Sequence, residues 1–281
     1  MRAAVLGSPV GHSLSPVLHT AAYAALGLEG EWSYGCYECA EEELAGFLKG
    51  CDDSWAGLSL TMPLKREALR LADEAEPVAR EVGGANTLVL GGRRRAFNTD
   101  VHGMAAALRE AGVGEVSSAA VLGGGATAAS AVAALRDSGA AADGGVTVLA
   151  REPARASGVV AAAERMGMRV GVAPLSEIDS RLDVDVVVST LPSGAGDPFA
   201  DRVAACGAAV FDVVYSPWPT ALAAAAQAAG RIVVGGFPML LHQAARQVEL
   251  MTGTEQAPVE AMRTAGLAEL ARRAAGGGEP G

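Results

Sequence analysis

Short apolar runs alternate with stretches in which apolar residues return every three or four positions, the two periods of strand and helix. In the first hundred residues, Ala3–Leu6, Trp32–Tyr37, Gly57–Leu60, Leu88–Leu90 and Ala96–Phe97 predict strands, the last two paired around Gly91-Gly92. Helices are predicted from Ser15 to Leu26, from Glu41 to Leu48 and from Arg66 to Asp73, with a further helical turn after Glu76-Pro77. Ser15-Pro16 reads as an N-cap followed by proline at the first helical position, and Gly27 as the stop.

Asn98-Thr99-Asp100 opens a helix from Val101 to about Ala111 that joins the two halves. Beyond it, Ala119–Leu122, Val146–Leu149, Val184–Val188, Ala208–Val213 and Arg231–Val234 predict buried strands. Helices are expected up to Leu135 and over Pro153–Met166, Met239–Thr252 and Val259–Arg273, with a disordered tail at Gly276–Gly281. The alternation predicts an α/β fold, its second half doubly wound.

Composition narrows the picture. The 281 residues are 50% hydrophobic but only 4% aromatic, which suits Ala- and Val-rich helices packed closely on buried sheets. A net charge of −10 argues against non-specific nucleic-acid binding. The one basic cluster, Arg93-Arg94-Arg95, reads as a solvated hairpin turn. Pro9, His12 and Pro16 break the N-terminus before a signal-peptide core could form, and no apolar run is long enough for a membrane span. Cys36 and Cys39 form a lone CxxC with no second pair, so metal or redox chemistry is not expected and a cytoplasmic chain with reduced thiols is.

Two stretches carry candidate chemistry. The first is Leu58-Ser59-Leu60-Thr61-Met62-Pro63-Leu64-Lys65, an apolar strand that ends in Thr61 and Pro63 and is followed by lysine. The chain has 22 basic residues, of which only Lys49 and Lys65 are lysines. Arginine cannot usefully give up its proton and lysine can, so Lys65 is a candidate acid/base group. The second is Gly123-x-Gly125-x-x-Ala128, between a strand and a helix, where glycines let a pyrophosphate approach a helix N-terminus. The next strand ends Leu149-Ala150-Arg151, with Arg155 one turn on, and two guanidiniums with no acid at the strand end suit the 2′-phosphate of NADP. Glu152 beside them opposes a phosphate.

With these stretches in hand, the chain resembles the shikimate dehydrogenase family along nearly its whole length. The resemblance runs in order through Gly7-Ser8-Pro9-Val10-Gly11-His12-Ser13-Leu14-Ser15-Pro16, Thr61-Met62-Pro63-Leu64-Lys65, Gly84-Ala85-Asn86-Thr87 and Asn98-Thr99-Asp100. It continues through the Gly-rich turn, Asp212-Val213-Val214-Tyr215-Ser216-Pro217 and Gly236-x-x-Met239-Leu240-x-x-x-Gln243. It implies NADP-linked reduction of 3-dehydroshikimate to shikimate, a step of aromatic amino-acid and chorismate biosynthesis. Ser13 and Ser15 match the hydroxyls that bind the substrate carboxylate. Thr61, Asn86, Asp100 and Gln243 match groups on the ring hydroxyls, and Tyr215 matches a substrate-side phenol. Lys65 and Asp100 match the catalytic pair. The implied cofactor set is Gly123, Gly125, Ala126, Thr127, Arg151, Arg155, Val213 and Gly236, with no metal.

These assignments agree with the chemistry of a small polyhydroxylated acid, which is recognised by a hydrogen bond to each of its polar groups. The chain has only two asparagines, Asn86 and Asn98, and both fall in these blocks, although each could cap a turn. Ser15 could act solely as an N-cap, and His12, His19 and His242 read as structural. Ala126, Thr127, Ala150 and Glu152 depart from the commoner family pattern around the phosphates, as does Ser189-Thr190-Leu191-Pro192 near the nicotinamide. The expected organisation is a substrate-binding and catalytic domain at 1–103, completed by helices within 237–275, and a Rossmann-type NADP-binding domain at 104–236. A small-molecule substrate, no nucleic-acid or membrane partner, and a monomer or homodimer are expected. Quinate or an amino-substituted shikimate as substrate, and a non-catalytic dinucleotide-binding sensor, are the alternatives.

Overall fold

Mostly apolar strands with every residue buried form the centres of two sheets. The computed structural model describes residues 1–276, and the expectation for the tail beyond Gly276 lies outside them. The chain divides into two compact units: Met1–Thr99 with the chain from Leu241 onward, and Asp100–Leu240.

The first unit holds β1 (Arg2–Gly7), β2 (Ser33–Glu38), β3 (Trp55–Leu60), β4 (Glu74–Ala75), β5 (Thr87–Val89) and β6 (Arg95–Phe97) in the order β2-β1-β3-β5-β6-β4. β1 runs parallel to β2 and β3, whereas β5 is antiparallel to β3 and β6. Helices α1 (Ser15–Ala25), α2 (Leu44–Lys49), α3 (Lys65–Leu71) and α4 (Pro77–Val82) connect them. Leu6, Leu44, Leu58, Leu60, Leu64 and Leu88 form the centre of the core.

After α5 (Thr99–Glu110), the second unit is fully parallel. Its strands are β7 (Ala119–Leu122), β8 (Asp143–Ala150), β9 (Arg169–Pro174), β10 (Val186–Ser189), β11 (Ala209–Asp212) and β12 (Val233–Val234). Their order is β12-β11-β10-β7-β8-β9, with α6 (Ala126–Asp137), α7 (Ser157–Arg165), α8 (Ala200–Ala205) and α9 (Ala221–Ala228) between them. The chain starts at β7, winds out to β9, then returns to β10 and winds the other way. That reversal leaves a crevice at the carboxyl ends of β7 and β10, the usual ligand position of a doubly wound sheet. The chain ends with α10 (Gly236–Thr252) and α11 (Val259–Gly276), the latter packed on α1. No helix among the described residues is long and apolar enough to cross a membrane.

Two local expectations are corrected and one strand is added. Ser15 is not the N-cap of α1: Leu14 holds that position, and the Ser13 hydroxyl accepts from the Ser15 amide at 3.2 Å. Glu41–Leu48 is a 3₁₀ turn over Glu41–Glu43 followed by α2. The edge strand β9 was not anticipated, because Gly171 and Pro174 interrupt its short Val170/Val172 alternation and only Ala173 is buried.

Thr220 ties the second unit together. Its hydroxyl caps α9 by accepting from the Ala223 amide at 3.1 Å, and it donates to the buried Asp212 carboxylate at 2.7 Å. Thr220→Ala should lower unfolding free energy by about 1–3 kcal/mol, the scale of a lost cap plus an under-bonded buried acceptor. Thr220→Ser keeps both bonds and should stay close to wild type in a urea titration.

Candidate active site

In the first unit, the ends of two parallel strands bring the candidate substrate groups together. β1 and β3 finish side by side, with the Thr61 amide donating to Leu6 O and the Ser8 amide to Met62 O. Only glycine fits at position 7, since a Cβ there would stand 2.3 Å from Thr61 Cγ2. The Ser13 loop that follows β1 therefore lies against the Thr61 loop that follows β3. Arg273 on α11 fastens the Ser13 loop from behind, donating to the carbonyls of His12 and Ser13. Glu269 holds Arg273 at 2.7 Å, and its bonds to Arg272 and Arg273 keep that carboxyl down to about 2.

Lys65 is the first residue of α3 and is half-buried. A cation at a helix N-terminus opposes the helix dipole, so its place there is not explained by helix stability. The Lys65 carbonyl accepts from the Ala85 amide at 2.8 Å, which sets the Gly84-Ala85-Asn86 turn against it. Asn98 fastens the same turn through a bond from Nδ2 to Gly84 O at 2.8 Å. It therefore acts on the backbone of the turn.

Asn86 is 2% exposed and lies among polar groups from three segments. Its Oδ1 accepts from the Thr99 amide at 2.8 Å and from the Thr87 hydroxyl at 2.9 Å. Its Nδ2 donates to Thr99 Oγ1 at 2.9 Å and to Gln243 Oε1 at 3.2 Å. Asp100 follows Thr99 in the first turn of α5, a favourable place for a carboxylate, and is buried.

Several residues outside the expected set join this wall. Gln247, one turn beyond Gln243 on α10, is 1% exposed and bonds Ser59, Thr87 and the Asn86 carbonyl. Tyr34 donates to Ser59 at 2.6 Å and stacks on His19 at 3.9 Å between centroids. His19 in turn bonds the Ser15 carbonyl at 2.9 Å. A second glutamine four residues after Gln243, on the same helix face, was the available signal for Gln247.

In the second unit, the cofactor candidates gather at the carboxyl edge of the parallel sheet. Gly123 follows β7 with φ +115°, and a Cβ on it would stand 2.3 Å from Thr190 Oγ1, so the turn passes tightly over the end of β10. Thr190 donates back to Leu122 O at 2.9 Å, which fixes the two strand ends at the switch point. Gly124 lies against the backbone of Arg155 and Ala156, bringing the Gly-rich turn beside the loop that carries Arg151 and Arg155. Val213 and Gly236 meet backbone to backbone: a Cβ on Gly236 would stand 2.0 Å from Val213 O. Tyr215 follows on the half-buried segment after β11.

The turn fits a dinucleotide. Gly125 precedes α6 with open space where a side chain would be, and no side chain caps that helix, so its first amides face an unobstructed approach. Ala126 and Thr127 supply the first two helical residues. Arg155 pairs with Glu152 at 3.1 Å, and both are more than half exposed, so the pair is weak and yields readily to a phosphate.

Burial of His19 has a pH consequence. Its pKa is pushed from 6.5 down to about 4 by desolvation, partly opposed by the Ser15 carbonyl. Between those values the unfolded chain binds a proton that the folded chain refuses, so stability falls as pH drops from about 6.5 to about 4. The gap is worth about 3 kcal/mol. His19→Phe removes the titration, and wild type should lose about that much stability relative to the variant between pH 7 and pH 4. Parallel curves in denaturant titrations would contradict this.

The model of the shikimate dehydrogenase substrate binding domain matches residues 5–88, and that of the shikimate 5′-dehydrogenase C-terminal domain matches residues 236–265. A shikimate dehydrogenase (NADP(+)) of Thermus thermophilus is 38% identical over 98% of this chain and 99% of its own length. The crystal structure of the Mycobacterium tuberculosis shikimate dehydrogenase superposes with a TM-score of 0.86 at 43% identity, over 95% of this chain and 99% of that one. A Thermus thermophilus shikimate 5-dehydrogenase in complex with NADP(H) and shikimate gives 0.82 at 36%, over 95% and 99%. Two matching domain models, relatives aligned nearly end to end, and the two sets of strand-end residues place this chain in the shikimate dehydrogenase family.

Proposed function

We propose that this protein is an NADP-dependent shikimate dehydrogenase that interconverts 3-dehydroshikimate and shikimate in aromatic amino-acid biosynthesis, working in the cytoplasm. The observation that carries the reading is the wall of hydrogen-bonding groups around Asn86. A polyhydroxylated ring acid needs a matched partner for its carboxylate and for each hydroxyl, and an apolar pocket could not select it. The Thermus thermophilus relative seen with NADP(H) and shikimate is similar in fold over nearly its whole length.

In this reading the Ser13 and Ser15 hydroxyls take the substrate carboxylate, while Thr61, Asn86, Asp100 and Gln243 take the ring hydroxyls and Tyr215 adds a phenol. NADPH, when bound, supplies the hydride that reduces the ketone carbon. Gly123, Gly125, Ala126 and Thr127 would hold its pyrophosphate at the N-terminus of α6, Arg151 and Arg155 would hold its 2′-phosphate, and Val213 and Gly236 would hold its nicotinamide. Lys65, as ammonium, stabilises the negative charge that develops on the ketone oxygen and donates the proton that makes it a hydroxyl. Asp100 accepts from a substrate hydroxyl and takes part with Lys65 in handling the proton.

Lys65→Arg separates charge from proton transfer, because guanidinium keeps the one and cannot perform the other. Lys65→Ala should lower turnover on the order of 10²- to 10⁴-fold with the KM for NADP⁺ unchanged. Lys65→Arg should fall close to the alanine variant. Turnover near wild type for Lys65→Arg would overturn the assignment.

A further inference from the structure

The buried polar residues behind Asn86 form a chain with a single direction, and two backbone groups set it. The Thr99 amide can only donate, so the Asn86 atom facing it at 2.8 Å is the oxygen. The Asn86 carbonyl can only accept, so the Gln247 atom facing it at 3.3 Å is the nitrogen. With those ends fixed, the hydroxyls between them have no choice. Gln247 Nε2 donates to Thr87 Oγ1 at 2.9 Å, which leaves the Thr87 proton to go to Asn86 Oδ1 at 2.9 Å. On the other side Tyr34 donates to Ser59 at 2.6 Å, and Ser59 donates to Gln247 Oε1 at 2.8 Å. The donors run Tyr34 to Ser59 to Gln247 to Thr87 to Asn86. Gln247 joins the two halves of this run through an acceptor and a donor on fixed, separate atoms, so it transmits the direction from one half to the other.

We propose that Gln247 is a positioning residue, which through Thr87 and alongside the Thr99 amide holds the Asn86 amide in the orientation that turns Nδ2 toward Gln243 and the ring hydroxyls. The inference rests on Asn86 as a substrate-binding group. Gln247 itself bonds Ser59, Thr87 and the Asn86 backbone, and it acts on substrate through Asn86. Without its N–H, Thr87 Oγ1 no longer accepts a hydrogen bond and its hydroxyl hydrogen can turn elsewhere. Asn86 Oδ1 then loses one of its partners, and the hold on the amide loosens.

The test uses Gln247→Met, which keeps the volume and removes both polar atoms, together with Thr87→Val and Thr87→Ser. Gln247→Met and Thr87→Val should each raise the KM for shikimate about tenfold, the scale of one unmatched buried group. Turnover should stay within about threefold and the KM for NADP⁺ should not change. The double variant should be no worse than the worse single one, because both break the same link. Thr87→Ser restores the hydroxyl and should restore the KM. A second readout needs no turnover. The chain has two asparagines, so selective ¹⁵N-asparagine labelling gives two side-chain amide pairs. The Asn86 pair should exchange with solvent about tenfold faster or more in Gln247→Met and Thr87→Val, while the Asn98 pair keeps its wild-type rate.

Wild-type KM in Thr87→Val, additive effects in the double variant, or unchanged Asn86 exchange would each overturn the proposal. Should Gln247→Met fail to fold, the Thr87→Val and Thr87→Ser pair decides it by the same two readouts. A wild-type enzyme with no activity on shikimate would overturn the functional reading instead, and the exchange measurement would still decide the role of Gln247.

Discussion

The first unit depends on one buried amide being fully matched. An amide removed from water costs several kcal/mol unless its hydrogen bonds are replaced. Asn86 meets that demand with partners that lie far apart in sequence: Thr87 beside it, Thr99 at the start of α5, and Gln243 on α10. To satisfy Asn86, the antiparallel β5, the entry to α5 and a helix from the far end of the chain must come together. The polar wall is thus a folding constraint. The glycine at position 7 and the Arg273 clamp on the Ser13 loop add the other side by packing and by charge-assisted bonds.

The second unit solves a different problem with backbone. A parallel sheet that reverses its winding leaves strand ends diverging, and Gly123, Thr190, Val213 and Gly236 keep those ends close without occupying the space above them. Charge is placed at the rim. Arg155 is paired with Glu152 at 3.1 Å, both more than half exposed, so the pair contributes little to holding the guanidinium.

Five of the six parallel strands were legible from sequence because each carries an apolar run, and Ala119–Leu122 matched β7 to the residue, whereas the edge strand β9 was not. The first sheet was legible in parts: β3 and the β5–β6 hairpin showed their pattern, whereas the two-residue β4 showed none. The candidate groups stood out by rarity, as with Lys65 in an arginine-rich chain and Asn86 as one of two asparagines. Gln247, Ser59 and Tyr34 did not, because their importance lies in which polar atoms face one another across the core; the four-residue spacing of Gln243 and Gln247 is the one trace of it in the sequence. Ser15 illustrates the same limit: Ser-Pro predicts a cap, but the Ser13 hydroxyl was the group in reach of the Ser15 amide.

The reading that this chain oxidises shikimate to 3-dehydroshikimate with NADP⁺, and catalyses the reverse with NADPH, is tested most directly by initial rates. Formation of reduced nicotinamide would be followed by absorbance with shikimate, quinate or aminoshikimate, each paired with NADP⁺ or NAD⁺. The highest kcat/KM is predicted for shikimate with NADP⁺, with quinate and NAD⁺ both disfavoured. A chain that prefers quinate or aminoshikimate, prefers NAD⁺, or reduces neither nucleotide with any of the three acids would contradict it.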